Sequence, residues 1–596
     1  MIAILIDKKL DRFENQIKYS FNFIFRTLGY EYKFVNSLKQ IAKTDIVFYY
    51  SENELNDKYK LQLGRERILF FIPCFSDLLI PGKLSKNKLK KFTRKINLSD
   101  TLPIICEWEF PHPIIYLKNE QIFYVKFNFD LIANIFFNLS GYETSACSKD
   151  EKGRIPDEEF VNNEFFYFPY VNAILWFCEQ VIKDAIIRTG RCFLTKKEMW
   201  PQAEKFGFAV SHQVDKLQKW TVKSFFKSFF QDILFIFHLK YIFKNLYSKI
   251  KYILTNIEEY WNFSIINQIE DKHKISSTFF IGTEREVELD VDYDLDDKDL
   301  LEEIQNLLER KKEIALLASY RSAKNDILSR QKSAIAQLIN KHRIGVRQIC
   351  FCYFPDITSE YHYKNNFFYD SSQALLSKPG FKFGIAVPYN PYAVIRSSNL
   401  SHLDLVRETV LELPLSFRVK SLKTSPFHII DREKAEHIFQ EGLKSVKRYA
   451  GFFNIDFTVA DFAEIDYLQD LYDDILGKVR KEPCFKGTLK QIADWWKKRE
   501  KVQITDSKDE IIIYFPDHLD RFVLTVLGNN SVDSVENDKN REDENQIFLP
   551  YFKKQNTFQF NGTKVKFDKE RIYFSDVKSD TRLRIKLSKK EIKKEK

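Results

Sequence analysis

The side chains that most often bind metal ions are scattered through this 596-residue sequence. Its eight cysteines include no CxxC pair, and the only close pair is Cys350-x-Cys352, whose spacing places both thiols on one face of a strand. A zinc site needs three or four converging ligands, usually with local spacing. No two of the ten histidines lie three or four residues apart: His112, His212, His238, His273, His342, His362, His402, His428, His437 and His518. The sequence therefore predicts reduced, mostly buried thiols and no ordinary zinc site.

One short run places useful groups at the end of an apolar strand. Phe208–Asp215 has the sequence FAVSHQVD, and the alternation of a strand turns His212 away from the face that Gln213 and Asp215 share. The carboxylate of Asp215 can bind a metal, whereas the amide of Gln213 cannot accept a proton near neutral pH. We expect His212 to be a packed or hydrogen-bonded core residue.

Further segments follow in order across almost 300 residues. They are Tyr260–Phe263, Ser276–Phe280, Tyr293–Asp296, Glu313–Tyr320, Gly345–Gln348, Phe368–Ser372, Pro379–Phe381, Leu411–Pro414 and Ile492–Arg499. Together with Phe208–Asp215, they resemble the polysaccharide deacetylase (NodB-homology) family, in the bacterial branch with an extra N-terminal domain. The resemblance implies a distorted (β/α) barrel over residues 205–500. Alternating strand and helix signals in this stretch also favour a parallel α/β barrel.

In that family one carboxylate and two histidines bind a metal, and an aspartate takes a proton from water. The residues at the corresponding positions here are Gln213 for the base, Asp215 for the metal-binding carboxylate, Lys312 and Leu317 for the two histidines, and Thr458 or Asp456 for a general-acid histidine. An ammonium repels a divalent cation and Leu has no lone pair, so one ligand remains where about three are needed. We expect no cofactor, and zinc or another divalent metal only if another domain supplies ligands.

Other positions that shape the pocket in the family keep polar side chains here. They are Arg347, Asp370, Ser371 and Ser372. An arginine fixed by a carboxylate can bind a sugar carboxylate or a phosphate through two parallel hydrogen bonds. The alternative is a salt bridge of Arg347 with Asp370 or Asp215 that only holds strands together.

Residues 216–255 form a basic, aromatic insertion in the predicted barrel. They contain eight Lys, seven Phe and one acidic residue, Asp232. Helical spacing places an apolar face beside a Lys-rich face, which predicts either a helix in a membrane interface or a hairpin that caps the barrel mouth. We expect no nucleic-acid partner, because the aromatic residues cluster for burial rather than for base stacking.

The composition, with 44% hydrophobic and 30% charged residues, is typical of a folded soluble protein. The net charge of +10 is a mild bias that does not distinguish membranes, acidic glycans and nucleic acids. The apolar run of Met1–Asp7 is followed at once by Lys8 and Lys9, which predicts a first strand rather than a signal peptide. No run reaches the roughly 18 apolar residues of a membrane span. A cytoplasmic location follows, with a membrane-peripheral one as the alternative.

The fold class expected is α/β, with a deacetylase-like distorted barrel, an N-terminal α/β domain and a C-terminal β-sandwich. The predicted segments are a small α/β domain (1–100), a joining α+β segment (101–204), the barrel (205–500) and a sandwich-like domain (501–596) with an acidic loop at 529–545.

Three functional hypotheses follow from the resemblance and the insertion. The first is a degenerate deacetylase-like protein that binds carbohydrate in surface-polysaccharide biosynthesis or modification without metal-dependent catalysis. The second is an active N-acetyl sugar deacetylase with a rearranged site. The third is a scaffold that docks on a membrane surface through residues 216–255.

Overall fold

The computed structural model contains two compact units. One comprises residues 1–146, 170–205 and 494–596, and the other comprises residues 147–169 and 206–493. The structure describes residues 1–589 apart from 43–44, 65–66, 81–91, 96–100, 105–112, 119–122, 142, 145–146, 191–192, 222–223, 227, 229–238, 356, 393–409, 426–427, 507–509, 529, 538–556, 561 and 569. His112, His238 and His402 lie outside these residues, as do Cys106, Cys192 and the middle of the predicted insertion.

The helices of the described residues are α1 (Glu14–Leu28), α2 (Asp57–Gly64), α3 (Leu131–Ser140), α4 (Tyr170–Thr189), α5 (Leu239–Thr255), α6 (Phe263–His273), α7 (Lys298–Glu309), α8 (Leu328–Leu338), α9 (Thr358–Lys364), α10 (Arg432–Arg448), α11 (Asp461–Glu464), α12 (Leu468–Arg480) and α13 (Leu489–Lys501). Within these residues we find no helix with the length and apolar character needed to cross a bilayer.

The strands up to residue 214 are β1 (Ile2–Ile6), β2 (Tyr32–Val35), β3 (Ile46–Ser51), β4 (Ile68–Pro73), β5 (Phe92–Lys95), β6 (Thr101–Ile104), β7 (Ile114–Lys118), β8 (Phe123–Phe127), β9 (Leu194–Lys197) and β10 (Gly207–Val214). Those of the following stretch are β11 (Thr278–Gly282), β12 (Glu313–Ala318), β13 (Val346–Gln348), β14 (Tyr369–Asp370), β15 (Leu411–Glu412), β16 (Phe417–Arg418), β17 (Lys423–Ser425), β18 (His428–Ile429), β19 (Phe452–Asp456) and β20 (Phe485–Lys486). The last are β21 (Gln503–Asp506), β22 (Glu510–Phe515), β23 (Leu519–Leu527), β24 (Asn530–Asn537), β25 (Thr557–Phe560), β26 (Thr563–Asp568), β27 (Arg571–Val577) and β28 (Thr581–Lys589).

The first unit contains an α/β sheet in the order β2-β1-β3-β4-β8-β7, in which only the β7–β8 pair is antiparallel. Short apolar runs such as that of β4, buried at five of six positions, are typical of strands covered on both faces. The first strand predicted in the apolar run Met1–Asp7 is observed as β1. The sheet, however, continues to Phe127, so the domain boundary predicted at residue 100 is wrong.

The same unit contains two antiparallel sheets, in the orders β21-β22-β28-β24 and β25-β26-β27-β23-β9. The ring of Phe515 on β22 lies 5.3 Å from Phe522 on β23 and 5.4 Å from Phe574 on β27, so aromatic side chains of the two sheets pack together. Part of the predicted acidic loop at 529–545 is instead strand β24, paired with β28, and residues 538–545 lie outside the described residues. The sandwich itself stays a prediction.

The second unit is built on a parallel sheet in the order β15-β14-β13-β12-β11-β10-β19-β16, with β20 also paired to β10. All eight residues of β10 are buried, as expected for a strand with packed side chains on both faces. The chain leaves β15, paired with β14, and enters β16, paired with β19, only five residues later. This short connection links the two edges of the sheet, which is therefore curled rather than flat.

A long-range ion pair confirms the curvature. Arg347 on β13 and Asp456 on β19 are four strands apart in the sheet order, which is about 19 Å in a flat sheet at 4.8 Å per strand. Their side chains nevertheless lie 2.5 Å apart. The predicted mixed α/β fold with a curled parallel sheet is therefore confirmed. Its strand ends at the carboxyl-terminal side form a mouth, where α/β barrels generally place their functional groups.

Candidate binding site at the barrel mouth

The residues of β10 alternate between the interior of the barrel and the surrounding helices. Ser211 points inward, because its Oγ lies 2.9 Å from Nη2 of Arg347. His212 points outward, where its Nδ1 lies 2.8 Å from the carbonyl oxygen of Phe457 and its Nε2 lies 2.7 Å from Oε1 of Glu270 on α6. With a side-chain exposure of 0%, His212 is a hydrogen-bonded core residue that faces away from Gln213 and Asp215.

Arg347 is held inside the barrel by four hydrogen bonds. Its Nη1 donates to Oδ1 of Asp456 at 2.5 Å, its Nε donates to the carbonyl oxygen of Ser371 at 3.0 Å, and its Nη2 donates to the hydroxyls of Ser211 and Ser371. The guanidinium also lies 4.1 Å from the ring centre of Phe280. The salt bridge predicted with Asp370 or Asp215 is wrong in its partner, which is Asp456. With its donors used in this way, Arg347 contributes to barrel closure rather than to ligand contact.

Asp370 lies on the outer face of the sheet. It neighbours Val346 in the register of β13 and β14, next to the inward-pointing Arg347. Its Oδ2 lies 2.7 Å from Nδ1 of His362 on α9, and its Oδ1 accepts from Ser372 at 2.5 Å. The prediction that Asp370 and Ser372 flank the pocket with Arg347 is therefore wrong, and these two residues join a strand to a helix.

Lys312 also lies away from the mouth, because it precedes β12 at the amino-terminal end of that strand. Its Nζ donates to Oε2 of Glu270 at 2.5 Å and to the carbonyl oxygen of Ile275 at 3.2 Å. Burial alone would raise the pKa of Glu270, but the hydrogen bonds and charges of His212 and Lys312 lower it to about 2. The predicted place of Lys312 in the pocket is wrong, and its ammonium instead compensates a buried carboxylate.

Leu317 occupies the level of the mouth. It is paired with Arg347 on β13 and with Gly282 on β11. Ile281, the residue before Gly282, is paired with Val214 on β10, so Gly282 is level with the residue after Val214. Leu317 is therefore level with Asp215, and it points inward with Arg347 because residues side by side in a parallel sheet share a face. Its side chain is 1% exposed and offers no ligand atom.

The polar groups that do meet at the mouth surround Asp215 and Asp461. Asp215 follows β10 directly, Asp461 begins α11 beyond β19, and both are less than 10% exposed. Lys420, in the turn after β16, places its half-exposed Nζ 3.5 Å from Oδ2 of Asp215. Thr458 precedes Asp461, whose backbone N–H donates to the carbonyl oxygen of Thr458 at 3.0 Å. Two carboxylates thus lie beneath a lysine at the solvent edge.

Several buried atoms of this group have no hydrogen-bond partner among the described residues. They are Oε1 of Gln213, Oδ1 of Asp215, Oδ2 of Asp461 and Nε of Arg418. Buried polar atoms are paired in the great majority of cases, and an unpaired set points to water or a ligand that supplies the missing hydrogen bonds. We call Gln213, Asp215, Arg418, Lys420 and Asp461 the mouth cluster.

The charges of the mouth cluster shift its titration. Burial raises the pKa of Asp461 to about 6; the charge of Lys420 opposes this shift and that of Asp215 adds to it. Asp215 in turn raises the pKa of Lys420. Asp461 therefore changes charge close to neutral pH, as a proton-transfer group would. The sequence resemblance did not identify Asp461, Arg418 or Lys420, although each follows or ends a barrel strand, where functional side chains are expected.

The donor set does not fit the metal of an intact deacetylase. Asp215 is the one carboxylate ligand that remains, and its Oδ2 faces the ammonium of Lys420. Lys312 lies elsewhere and Leu317 has no donor atom. Among the described residues, no group of three or more His, Cys, Asp or Glu side chains could hold a metal ion.

A model of a family of unknown function (DUF7033) matches residues 5–186. No curated protein matches the chain. Among solved structures, one named as a polysaccharide deacetylase from Mycobacterium smegmatis is 14% identical, with a TM-score of 0.34, and covers 52% of this chain and 96% of its own. Another, named as a polysaccharide deacetylase from Pseudomonas aeruginosa PAO1, is 10% identical, with a TM-score of 0.33, and covers 50% of this chain and 93% of its own. The description of the fold given above depends on the strand order and the side-chain contacts of this chain alone.

Proposed function

We propose that the mouth cluster binds a carbohydrate, and that it does so without metal-dependent hydrolysis. The observation that carries this proposal is the set of buried, unpartnered acceptors on Gln213, Asp215 and Asp461. Sugar hydroxyls donate to carboxylate and amide oxygens, and they accept from donors such as Nε of Arg418 and the ammonium of Lys420. The sequence resemblance to polysaccharide deacetylases supports the same ligand class, and a role in surface-polysaccharide biosynthesis or modification is part of the proposal.

Calorimetric titration of the full chain with oligomers of N-acetylglucosamine tests this proposal. Asp215→Asn and Asp461→Asn keep the shape of the side chain but remove its charge. A hydrogen bond to a charged group contributes about 1.5–3 kcal/mol, and one to a neutral group about 0.5–1.5 kcal/mol. We expect each variant to weaken binding by about tenfold or more. Asp520→Asn is the matched control, because its side chain is 87% exposed and lies outside the mouth cluster. Unchanged affinity in both mouth variants would refute the proposal.

A second candidate function is the hydrolysis of an N-acetyl group with Asp461 as the base. The raised pKa and the unpartnered oxygen of this residue favour it. Water would form the new C–O bond at the acetamide carbonyl carbon while its proton passes to the Asp461 carboxylate. That proton would then reach the amine nitrogen as the C–N bond breaks, which releases acetate and a free amine. Lys420 and Arg418 would stabilise the negative charge on the carbonyl oxygen.

Acetate release from N-acetylglucosamine oligomers separates the two functions. Hydrolysis by Asp461 requires the ionised form, so the rate should rise with pH through about 6 and vanish in Asp461→Asn. If the full chain releases no more acetate than Asp461→Asn does, while oligomers still bind, the second candidate function is excluded and the first is retained.

A further inference from the structure

Helix α5 is packed with its polarity inverted. The residues of its buried face include Asn245, Ser248 and Lys249, which are 9%, 2% and 6% exposed. Nε1 of Trp220 donates to Oγ of Ser248 at 2.8 Å, and Nζ of Lys249 lies 5.4 Å from the ring centre of Trp220. A surface helix usually turns its apolar face toward the core. Here polar residues attach the helix to the protein, and the apolar face is left outside.

The outer face of α5 is a continuous apolar stripe. Eight of the thirteen large apolar side chains that are exposed among the described residues lie on this helix or beside it: Phe226, Phe243, Leu246, Tyr247, Ile250, Ile253, Leu254 and Ile257. Those on the helix follow the spacing of three and four residues that places side chains on one face. Single exposed apolar residues are ordinary, but a contiguous patch marks an interaction surface. We call these eight residues the α5 stripe.

Lysines border the α5 stripe along one edge. At 3.6 residues per turn, Lys244 and Lys251 lie on the same side of it, and their side chains are 44% and 41% exposed. Their carboxylate partners are Asp466, which is 72% exposed, and Glu259 at 4.0 Å. The pair of Lys244 with Asp466 is largely exposed and contributes little. Glu259 is 16% exposed but has a closer partner in Lys219, at 2.6 Å, so both ammonium groups can bind phosphate instead at small cost.

The surroundings of these lysines suit a lipid headgroup. Lys244 and Lys251 line a cavity of about 390 Å³ together with Tyr247 and Trp261. Its lining also includes Lys219 and the carboxylates of Glu258 and Glu259. Tyr and Trp favour the boundary between lipid and water, because each combines an apolar ring with a polar atom. A helix of 17 residues spans about 25 Å, so its apolar face can lie in the plane of a bilayer with the lysines at headgroup level.

We propose that the α5 stripe and its flanking lysines dock the protein on an anionic membrane surface. The apolar side chains enter the boundary between headgroups and acyl chains, and Lys244 and Lys251 contact the phosphates. This proposal is independent of the ligand bound at the mouth cluster.

Co-sedimentation with vesicles tests the proposal on the full chain. We expect binding to vesicles of phosphatidylglycerol and phosphatidylcholine, and much weaker binding to phosphatidylcholine alone. Combining Phe243→Ser, Ile250→Ser and Leu254→Ser should lower binding by about tenfold or more, because three apolar side chains no longer leave water. Combining Lys244→Gln with Lys251→Gln should lower only the binding to the anionic vesicles.

The matched control combines Tyr167→Ser and Ile187→Ser, which change side chains that are 65% and 78% exposed elsewhere. It should bind like the unchanged chain. Absence of binding to anionic vesicles, or equal loss in the stripe variant and in this control, would overturn the proposal. The proposal would also be overturned if the unchanged chain binds no vesicles but forms a dimer in sedimentation velocity, and the stripe variant is a monomer. The α5 stripe would then be an interface between two copies of the chain.

Discussion

Strand β10 separates two groups of charged side chains that differ in how completely they are paired. On its outer face Glu270 accepts hydrogen bonds from Tyr472 and Lys312 and contacts His212, and both of its oxygens are engaged. At the mouth, Asp215 and Asp461 each keep a buried oxygen without a partner among the described residues. Burial is similar, but the pairing differs. A satisfied cluster stabilises the fold, whereas an unsatisfied one requires water or a ligand to complete its hydrogen bonds.

The largest effect is expected from the satisfied ion pair inside the barrel. Arg347→Met leaves the carboxylate of Asp456 buried without its cation, which should lower the free energy of unfolding by about 3–5 kcal/mol. Urea denaturation measures this change. The matched control is Arg321→Met, at a pair with Glu286 in which the two side chains are 56% and 41% exposed, and it should change stability by less than about 1 kcal/mol. Equal losses in the two variants would contradict a structural role specific to Arg347.

Glu270→Gln should cost somewhat less, and the cost should depend on pH. The folded-state pKa of about 2 lies below the ordinary value of 4.5, so this carboxylate contributes stability above pH 4.5 that is lost as the pH falls through 2. The difference corresponds to about 3 kcal/mol at neutral pH. Urea denaturation of the unchanged chain and of Glu270→Gln should show a smaller difference in the free energy of unfolding at pH 3 than at pH 7. A difference that does not change with pH would exclude charge as its cause. Glu441→Gln, at a 53% exposed position, is the control.

Asp461→Asn should have the opposite sign. The folded-state pKa of about 6 lies above the ordinary value of 3.8. Burial of Asp461 therefore costs no stability below pH 3.8, and the cost grows as the pH rises from 3.8 to 6 and is complete above 6. Removal of the charge should therefore stabilise the chain by about 1–3 kcal/mol at pH 8 and change little at pH 4. Thermal unfolding at the two pH values measures this. A loss of stability at pH 8 would indicate that Asp461 is paired in the same way as Glu270. The control is Asp466→Asn, at a 72% exposed position, which should leave stability unchanged at both pH values.

The smallest effect on stability is expected at Asp215. Its partner Lys420 is half exposed and lies 3.5 Å away, so Asp215→Asn should change the free energy of unfolding by less than about 1 kcal/mol. The same variant should nevertheless weaken sugar binding. Chemical denaturation and calorimetric titration of one preparation would separate the two effects. A destabilisation comparable to that of Arg347→Met would place Asp215 with the structural ion pairs.

The mixed α/β class and the parallel sheet of the second unit could be predicted from the sequence, because alternating strand and helix signals are local properties. The partner of Arg347 could not, since Asp456 lies 109 residues further on and only the curled sheet brings the two together. The position predicted for Lys312 was wrong because the resemblance does not show where β12 begins. The strand begins at Glu313, which places Lys312 at the end opposite the mouth. The inverted packing of α5 was also beyond prediction, because periodicity shows which residues share a face but not which face is buried.

The central claim, a sugar site without metal chemistry, is tested most directly by one titration. The full chain is stripped with a chelator, its metal content is measured, and N-acetylglucosamine oligomers are titrated into it before and after zinc is restored. Undiminished binding by the metal-free chain, with no acetate released after zinc is added, is the expected result. Binding that requires stoichiometric zinc and is followed by deacetylation would contradict the claim.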